Sequence, residues 1–532
     1  MTKLDDINQL LQAAHDNLAA GNTRAAHQNC IDVLQIDSQH PEAHFLLGVN
    51  ALERKDLARA KTLLTIATKL APQRIRYHLQ LARCYALQNS NHEALLALKA
   101  AMALANPSAF DLDTMGVLLS RLGKHAEALA KFQEAIAKAP ENIEFLYNQA
   151  TSERINGELD AAEQSLQKII QLQPDFYRAY SLIPELRKAT ADNNLLAAIE
   201  TQLASPSLNP IAHLHFCHAL AREYEHLGDR QQAMQWLHTG NAQRKRELHY
   251  HVEDDLALFQ SLQEQCDQHY FHQKSHGYRP RSNQPKPIFI VGMPRSGTTL
   301  LERILSGHSQ VTSLGELLDF PITLKQQAHT PSPLVLDEET IQAAIQLDPY
   351  RLGETYCQRL ETYKATTPYV VDKLPLNFFN IGFIARALPE ARIICLRRNP
   401  LDICLSNYKQ LFAVNFSYYN YSLNLEDCAR YLVAFEQLMQ HWRSVIPEEH
   451  LLEIEYEELV EHTEAYSRIA LNFVGLNFEP DCLHFENNTA PVATASAVQV
   501  RQPIYKSSVQ AWQHYADALQ PAQKILQEAG LL

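Results

Sequence analysis

The sequence predicts an all-α repeat solenoid followed by an α/β domain built on a parallel sheet. Three observations carry this reading. Small residues return every 34 positions through the first third of the chain. A basic stretch containing Pro and Gly, residues 272–286, breaks the helical periodicity. Beyond it, short apolar runs alternate with helical patterns.

The solenoid comes first. Ala26, Ala60, Ala94, Ala128 and Ala162 form one series, and Ala14, Gly48, Ala82, Gly116 and Ala150 form another. Pro72, Pro140 and Pro174, with Asn106 between them, mark the ends of second helices; Gly21, Gly123 and Gly157 mark turns between paired helices. Small side chains at this spacing let two helices approach closely, Pro stops a helix and Gly permits the turn. The pattern resembles the tetratricopeptide repeat, and residues 1–174 are assigned to the array. Pro184 then interrupts the register, which returns in divergent form at Ala221, Gly228, Ala233 and Gly240. Residues 175–271 therefore read as divergent repeats and a helical connector, and residues 272–286 as a linker. The resemblance implies a concave groove for a peptide or protein partner. Capping or dimerising the second domain, hence a homo-oligomer, is the other use of such an array.

Composition sets the setting. A chain of 532 residues with 46% hydrophobic and 20% charged residues is globular, with room for several cores. A net charge of −13 gives no general affinity for nucleic acid. Nine scattered cysteines lack CxxC spacing, which argues against a disulfide framework or zinc site and for a reducing compartment. The N-terminal stretch has no secretory h-region and no 18-residue apolar run follows, so a cytoplasmic protein without membrane contact is expected.

The second domain, 287–532, begins at an apolar run, IFIVG. YVVDK (369–373), ARIICLR (391–397) and HLLEIEY (450–456) follow, each suited to a buried parallel strand. The first run feeds GMPRSGTT. Gly292 and Gly297 have the spacing of a phosphate loop, whose amides converge on an anion at a helix N-terminus. The Walker lysine is absent: its place is Thr298. A P-loop kinase or NTPase is thereby disfavoured. Arg295 supplies a cation inside the loop, and Thr298 and Thr299 offer hydroxyls.

Two motifs carry a resemblance. PRSGTTLLERIL looks like the 5′-phosphosulfate loop of sulfotransferases that use 3′-phosphoadenosine 5′-phosphosulfate (PAPS). Tyrosylprotein sulfotransferases share PRSGTT, whereas cytosolic members have Lys at the place of Arg295. RIICLRRNPLDICLSNY (392–408) resembles the family's 3′-phosphate site, with Arg398 at a strand end and Ser406 in the next helix. Both can reach one phosphate. The resemblance implies a P-loop-like α/β sulfotransferase domain and nucleotide contacts from Pro294, Arg295, Ser296, Gly297, Thr298, Thr299, Arg398 and Ser406. LLEIEYEELV adds Tyr456. TASAVQVRQPIYKSSVQAW resembles the family's closing loop and adds Ser496 to the catalytic set and Arg501 and Lys506 to the nucleotide contacts, with Trp512 nearby. The Arg-Lys-Gly-x-x-Gly form of cytosolic members is absent there.

The chemistry implied is in-line sulfuryl transfer, in which the enzyme positions the partners and neutralises the leaving oxygen. Arg295 suits that oxygen. Lys373, at a strand end before a Pro, stands where family members place a catalytic Lys or His; a surface lysine with its stem packed down is the plain alternative. Glu316, 21 residues after Arg295, matches the distance of the catalytic Glu in tyrosylprotein sulfotransferases. Their Gly-Glu-Glu is Leu-Gly-Glu here, leaving a one-residue shift open. Glu316 is the candidate base and His308 the runner-up. A sulfuryl group carries less charge than a phosphoryl group, so no metal is expected. The leading expectation is a PAPS-dependent sulfotransferase whose repeats recruit a large acceptor: a protein tyrosine, a peptide or a glycan. The alternative is an interaction scaffold whose sulfotransferase-like domain binds nucleotide without turnover.

Overall fold

The structure, a computed structural model, describes residues 3–205, 208–273, 276–330, 332, 334–413, 416–484 and 508–532. The chain divides into two compact units, Met1–Leu172 and Gln173–Leu532.

The first unit is a run of helical hairpins: Lys3–Ala19 with Thr23–Ile36, Pro41–Glu53 with Leu57–Leu70, Ile75–Leu87 with Asn91–Met102, Ala109–Arg121 with His125–Lys138, and Ile143–Asn156 with Leu159–Leu172. The five periodic alanines of the second helices are all buried, from Ala26 to Ala162. Their partners explain the need for small residues. A Cβ on Gly48 would stand 2.7 Å from Leu64, and one on Gly116 would stand 2.5 Å from Phe132. Each hairpin turn uses one left-handed residue. Gly21, Gly123 and Gly157 fill that place at φ 75°, 74° and 90°, and Lys55 and Asn89 fill it at 61° and 54°. The requirement is therefore present in all five turns, although glycine meets it in only three.

The second unit opens with Tyr177–Leu186, Leu196–Leu203, the hairpin Pro210–His226 and Arg230–Glu247, and Val252–Gln265. The last of these helices belongs to the core of the α/β domain. Its Phe259 lies 5.9 Å from the ring of Phe378, 4.9 Å from Phe379 and 5.0 Å from Tyr431.

Five strands form the sheet: β1 (Lys286–Gly292), β2 (Val311–Ser313), β3 (Tyr369–Lys373), β4 (Arg392–Arg397) and β5 (Leu451–Glu455). Their order is β2-β3-β1-β4-β5, and every pairing is parallel. Alternate residues feed two cores, as the pleat requires. Phe289, Val291, Val370, Ile393 and Cys395 face one side; Ile288, Ile290, Val371, Ile394 and Leu396 face the other, against Leu301, Ile304, Leu305 and Leu471. Four strands match the apolar runs of the sequence. β2 falls within QVTSLGE, the strand-like stretch that leads to Glu316, and only three of its residues join the sheet. Parallel strands bring Gly292, Lys373 and Arg397 to one edge, with the chain order reversing around β1, where ligands of open α/β sheets bind.

Candidate active site

The phosphate loop is built on backbone that few residues can adopt. β1 ends at Gly292 with φ 146°; Arg295 follows at 69° and Gly297 at 101°. A Cβ on Gly292 would stand 2.5 Å from the carbonyl of Leu396, and one on Gly297 would stand 2.4 Å from the ring of Tyr456. The chain then enters helix Thr298–Ser306, whose N-terminus follows directly on the loop. Ser296 is fully buried, and its Oγ has no hydrogen-bond partner among the described residues. A buried donor left without a partner is costly, which fits a loop shaped around an oxyanion.

Arg398, just past β4, ties the loop to two other segments. Its Nη1 donates to the carbonyl of Arg295 at 2.9 Å and its Nη2 to the carbonyl of Ser508 at 2.6 Å. Its guanidinium lies 4.7 Å over the ring of Tyr456, whose hydroxyl meets Ser508 Oγ at 2.9 Å. Arg398 Nε is a second buried donor without a partner among the described residues. Helix Pro400–Tyr408 carries the next residues. Ser406 Oγ accepts from Arg295 Nε at 3.3 Å, and Asn407 Nδ2 donates to the carbonyl of Pro294 at 2.8 Å. Loop and helix are thus bonded to each other directly. The two orphaned donors and the helix N-termini suit a ligand with two anionic groups.

A second cluster stands at the ends of β2 and β3. Lys373 is 1% exposed, which removes the surface-lysine alternative. Its Nζ donates to Glu316 Oε1 at 2.5 Å and lies 3.6 Å from Glu302 Oε2. Burial alone would lower the Lys373 ammonium, but Glu316 and Glu302 outweigh it and hold it above its ordinary value. Glu316 sits on the turn after β2, where Gly315 takes φ 74°, and keeps 39% of its side chain exposed. It is the member of this cluster open to a substrate.

Residues 287–480 match the Sulfotransferase family, and residues 17–84 and 114–175 match the Tetratricopeptide repeat. The chain carries tetratricopeptide repeats and a sulfotransferase domain. An uncharacterized protein of Aquifex aeolicus (strain VF5) is 30% identical over 77% of this chain and 54% of its own length. The Protein-tyrosine sulfotransferase of Drosophila melanogaster is 23% identical over 42% of this chain and 46% of its own length. Among solved structures, the sulfotransferase domain from the curacin biosynthetic pathway is 20% identical, covering 47% of this chain and 99% of that one, with a TM-score of 0.33. The chain spans about half the length of the curated relatives it matches.

The sulfotransferase domain places the other sequence candidates as follows. Thr298 and Thr299 are buried at the start of the loop helix, and Pro294 and Gly297 shape the loop. His308 lies outside the cluster: one ring nitrogen meets the carbonyl of Asn477 at 3.0 Å and the other accepts from the Gln310 amide at 3.0 Å. Both nitrogens are engaged in holding a turn. Ser496, Arg501 and Lys506 lie outside the described residues. Trp512 is described, and its amide donates to Asp402 Oδ1 at 2.9 Å.

Glu302 and Asp402 are site residues that the sequence reading did not single out. Glu302 lies on the loop helix next to the core residues Leu301, Ile304 and Leu305, and its side chain is buried against Ser313 and Lys373. Asp402 is 1% exposed and accepts the amides of Gln510 and Trp512 at 2.8 and 2.9 Å. Burial raises its carboxyl above the usual range, against the pull of those amides and of Arg398. An Asp in the first turn of a helix reads as a dipole partner, which concealed its tertiary bonds.

Proposed function

We propose that this chain moves a sulfuryl group from PAPS to a hydroxyl of a large acceptor, a protein tyrosine, peptide or glycan, which the repeats recruit. One observation carries the reading. A phosphate loop without a Walker lysine, but with Arg295 and the orphaned Ser296 Oγ, shares the sheet's carboxyl edge with Arg398 and with the Lys373–Glu316 pair.

The roles follow from position. The loop amides and the hydroxyls of Thr298 and Thr299 hold the 5′-phosphosulfate, and Arg398 and Ser406 hold the 3′-phosphate. The Tyr456 ring buttresses Gly297 and Arg398. Bound PAPS supplies the sulfur-to-oxygen bond that is broken. Glu316 takes the proton of the acceptor hydroxyl as that oxygen bonds to sulfur. Arg295 and Lys373 neutralise the bridging oxygen, which leaves with the electron pair. For this, Lys373 turns from Glu316 toward the leaving oxygen.

The nine cysteines are buried free thiols, which favours a reducing, cytoplasmic setting. Among the described residues, no helix is long and apolar enough to cross a membrane.

The test is thermal shift with 3′-phosphoadenosine 5′-phosphate (PAP) against ATP. PAP is expected to raise Tm and ATP to leave it unchanged; stabilisation by ATP alone would sink the reading. Labelled-sulfate transfer from PAPS into a cell extract then identifies the acceptor.

A further inference from the structure

Lys373 has two carboxylate partners, and the proposed mechanism uses only one of them. The other, Glu302, is 8% exposed. Its Oε1 accepts from Ser313 Oγ at 2.5 Å, while its Oε2 faces Lys373 Nζ at 3.6 Å. Ser313 Oγ in turn accepts the Gly315 amide at 3.1 Å. The Lys373 amide donates to the Gly315 carbonyl at 2.9 Å. The bonds close a ring: Glu302, Ser313, Gly315 with its neighbour Glu316, Lys373, and Glu302 again.

This ring answers a physical difficulty. If Lys373 leaves Glu316 to meet a leaving oxygen, a buried ammonium loses its nearest counter-charge, and such charges are strongly unfavourable when unpaired. Glu302 remains in place throughout, because Ser313 pins it. It also ties down the turn that presents Glu316. Its carboxylate is too buried to meet an acceptor, so it acts through its neighbours.

We infer that Glu302 is a positioning residue for sulfuryl transfer: it keeps Lys373 in place when Glu316 lets go, and through Ser313 it fixes the turn that carries Glu316. The inference rests on the roles proposed above for Lys373 and Glu316. The other titratable groups whose interaction with Lys373 or Glu316 bears on the pair's pH behaviour include Asp372, Tyr418 and Tyr419. Burial holds the Asp372 carboxyl well above its usual range, against the pull of the Tyr356 hydroxyl and of Lys373. Burial, then the charge of Glu316, pushes Tyr418 up to about 12 and Tyr419 higher, so both are neutral near pH 7; Tyr418 overlaps the Lys373 titration but is common to every variant compared.

The experiment reads Lys373 directly in the full chain. The ¹³Cε signal of Lys373, assigned by its absence in Lys373→Met, is titrated in wild type, Glu302→Gln and Glu302→Asp. Removing one carboxylate beside a buried ammonium lowers its midpoint, by about one pH unit or more in Glu302→Gln. Glu302→Asp, which keeps the charge, restores most of that shift. A midpoint unmoved by Glu302→Gln overturns the inference. If Glu302→Gln does not melt cooperatively, Ser313→Ala serves instead. Its rate of labelled-sulfate incorporation at saturating PAPS is expected to fall about threefold to tenfold with an unchanged apparent KM for PAPS. An unchanged rate overturns the inference. A wild-type protein that binds PAP yet transfers no sulfate would instead overturn the roles of Lys373 and Glu316, and the Lys373 titration would still decide whether Glu302 holds the ammonium.

Discussion

Arg398 concentrates the residue-scale logic of the site. It bonds a loop carbonyl, reaches the segment at Ser508 and stacks on Tyr456, yet its Nε is left over. A guanidinium so fixed is pre-organised for an anion. Arg398→Ala is expected to raise the PAPS KM about tenfold to a hundredfold, the range of one charge-assisted bond. With adenosine 5′-phosphosulfate, which lacks the 3′-phosphate, the loss should be smaller; steady-state kinetics with both donors checks this, and equal losses would contradict the assignment. Arg398 was legible from sequence because it follows an apolar strand and precedes a helix-starting Asn-Pro, all within one short stretch. Glu302 was not, because its partners Ser313 and Lys373 come from separate elements that only the fold brings together.

At the scale of elements, helix Pro400–Tyr408 organises the proposed nucleotide side. It enters through Asn399, whose Oδ1 caps the amides of Leu401 and Asp402 at 3.1 and 3.2 Å. Asp402 then accepts the amides of Gln510 and Trp512, Ser406 meets Arg295, and Asn407 holds the carbonyl of Pro294. One helix therefore fixes both the loop and the start of the C-terminal segment. Asp402→Ala leaves two amides without acceptors, at about 1–3 kcal/mol each if they stay buried. The expected result is faster amide exchange at 510–512 and about tenfold weaker PAP binding, read by exchange mass spectrometry and calorimetry; unchanged exchange would show that Asp402 does not hold the segment. The elements themselves were legible where local pattern dictates them. The repeat helices followed from small residues that meet Leu64 and Phe132, and four strands followed from apolar runs. β2 was legible as a strand-like stretch but not in its extent, because three residues leave too little pattern, and the turn residues Lys55 and Asn89 were hidden because neither is the glycine that announces a left-handed turn.

On the scale of the whole molecule, the second unit is more than an α/β domain with helices attached. His218 Nε2 meets Asn241 Oδ1 at 2.7 Å, and Asn241 Nδ2 donates to the carbonyl of Tyr408 at 3.1 Å, at the end of the helix that carries Ser406. Lys409 pairs with Glu225, which also accepts from Tyr515 at 2.6 Å. The hairpin Pro210–His226 and Arg230–Glu247 thus braces the helix that carries Ser406, and its buried histidines are expected to make it sensitive to pH. Burial holds His218 down to about 4 and His215 to about 3. An unfolded chain takes these protons near pH 6.5, whereas the folded one does not until about 4 or below. Between those values the unfolded state binds more protons, so stability present above pH 6.5 is lost as the pH falls. For His218 the full loss is about 3 kcal/mol by pH 4. Asp255 works the other way: burial raises it to about 6, so the folded state binds the extra proton between that value and its ordinary range. A single melting curve therefore mixes opposing groups, and the difference between two proteins separates them. His218→Gln keeps a donor for Asn241 but cannot be protonated. Its stability, measured by denaturant unfolding from pH 7 to 4, should fall less steeply than that of wild type, by about one proton over the window. Parallel slopes would mean that His218 is protonated in the folded state as readily as in the unfolded one, and the brace would then have no part in acid sensitivity.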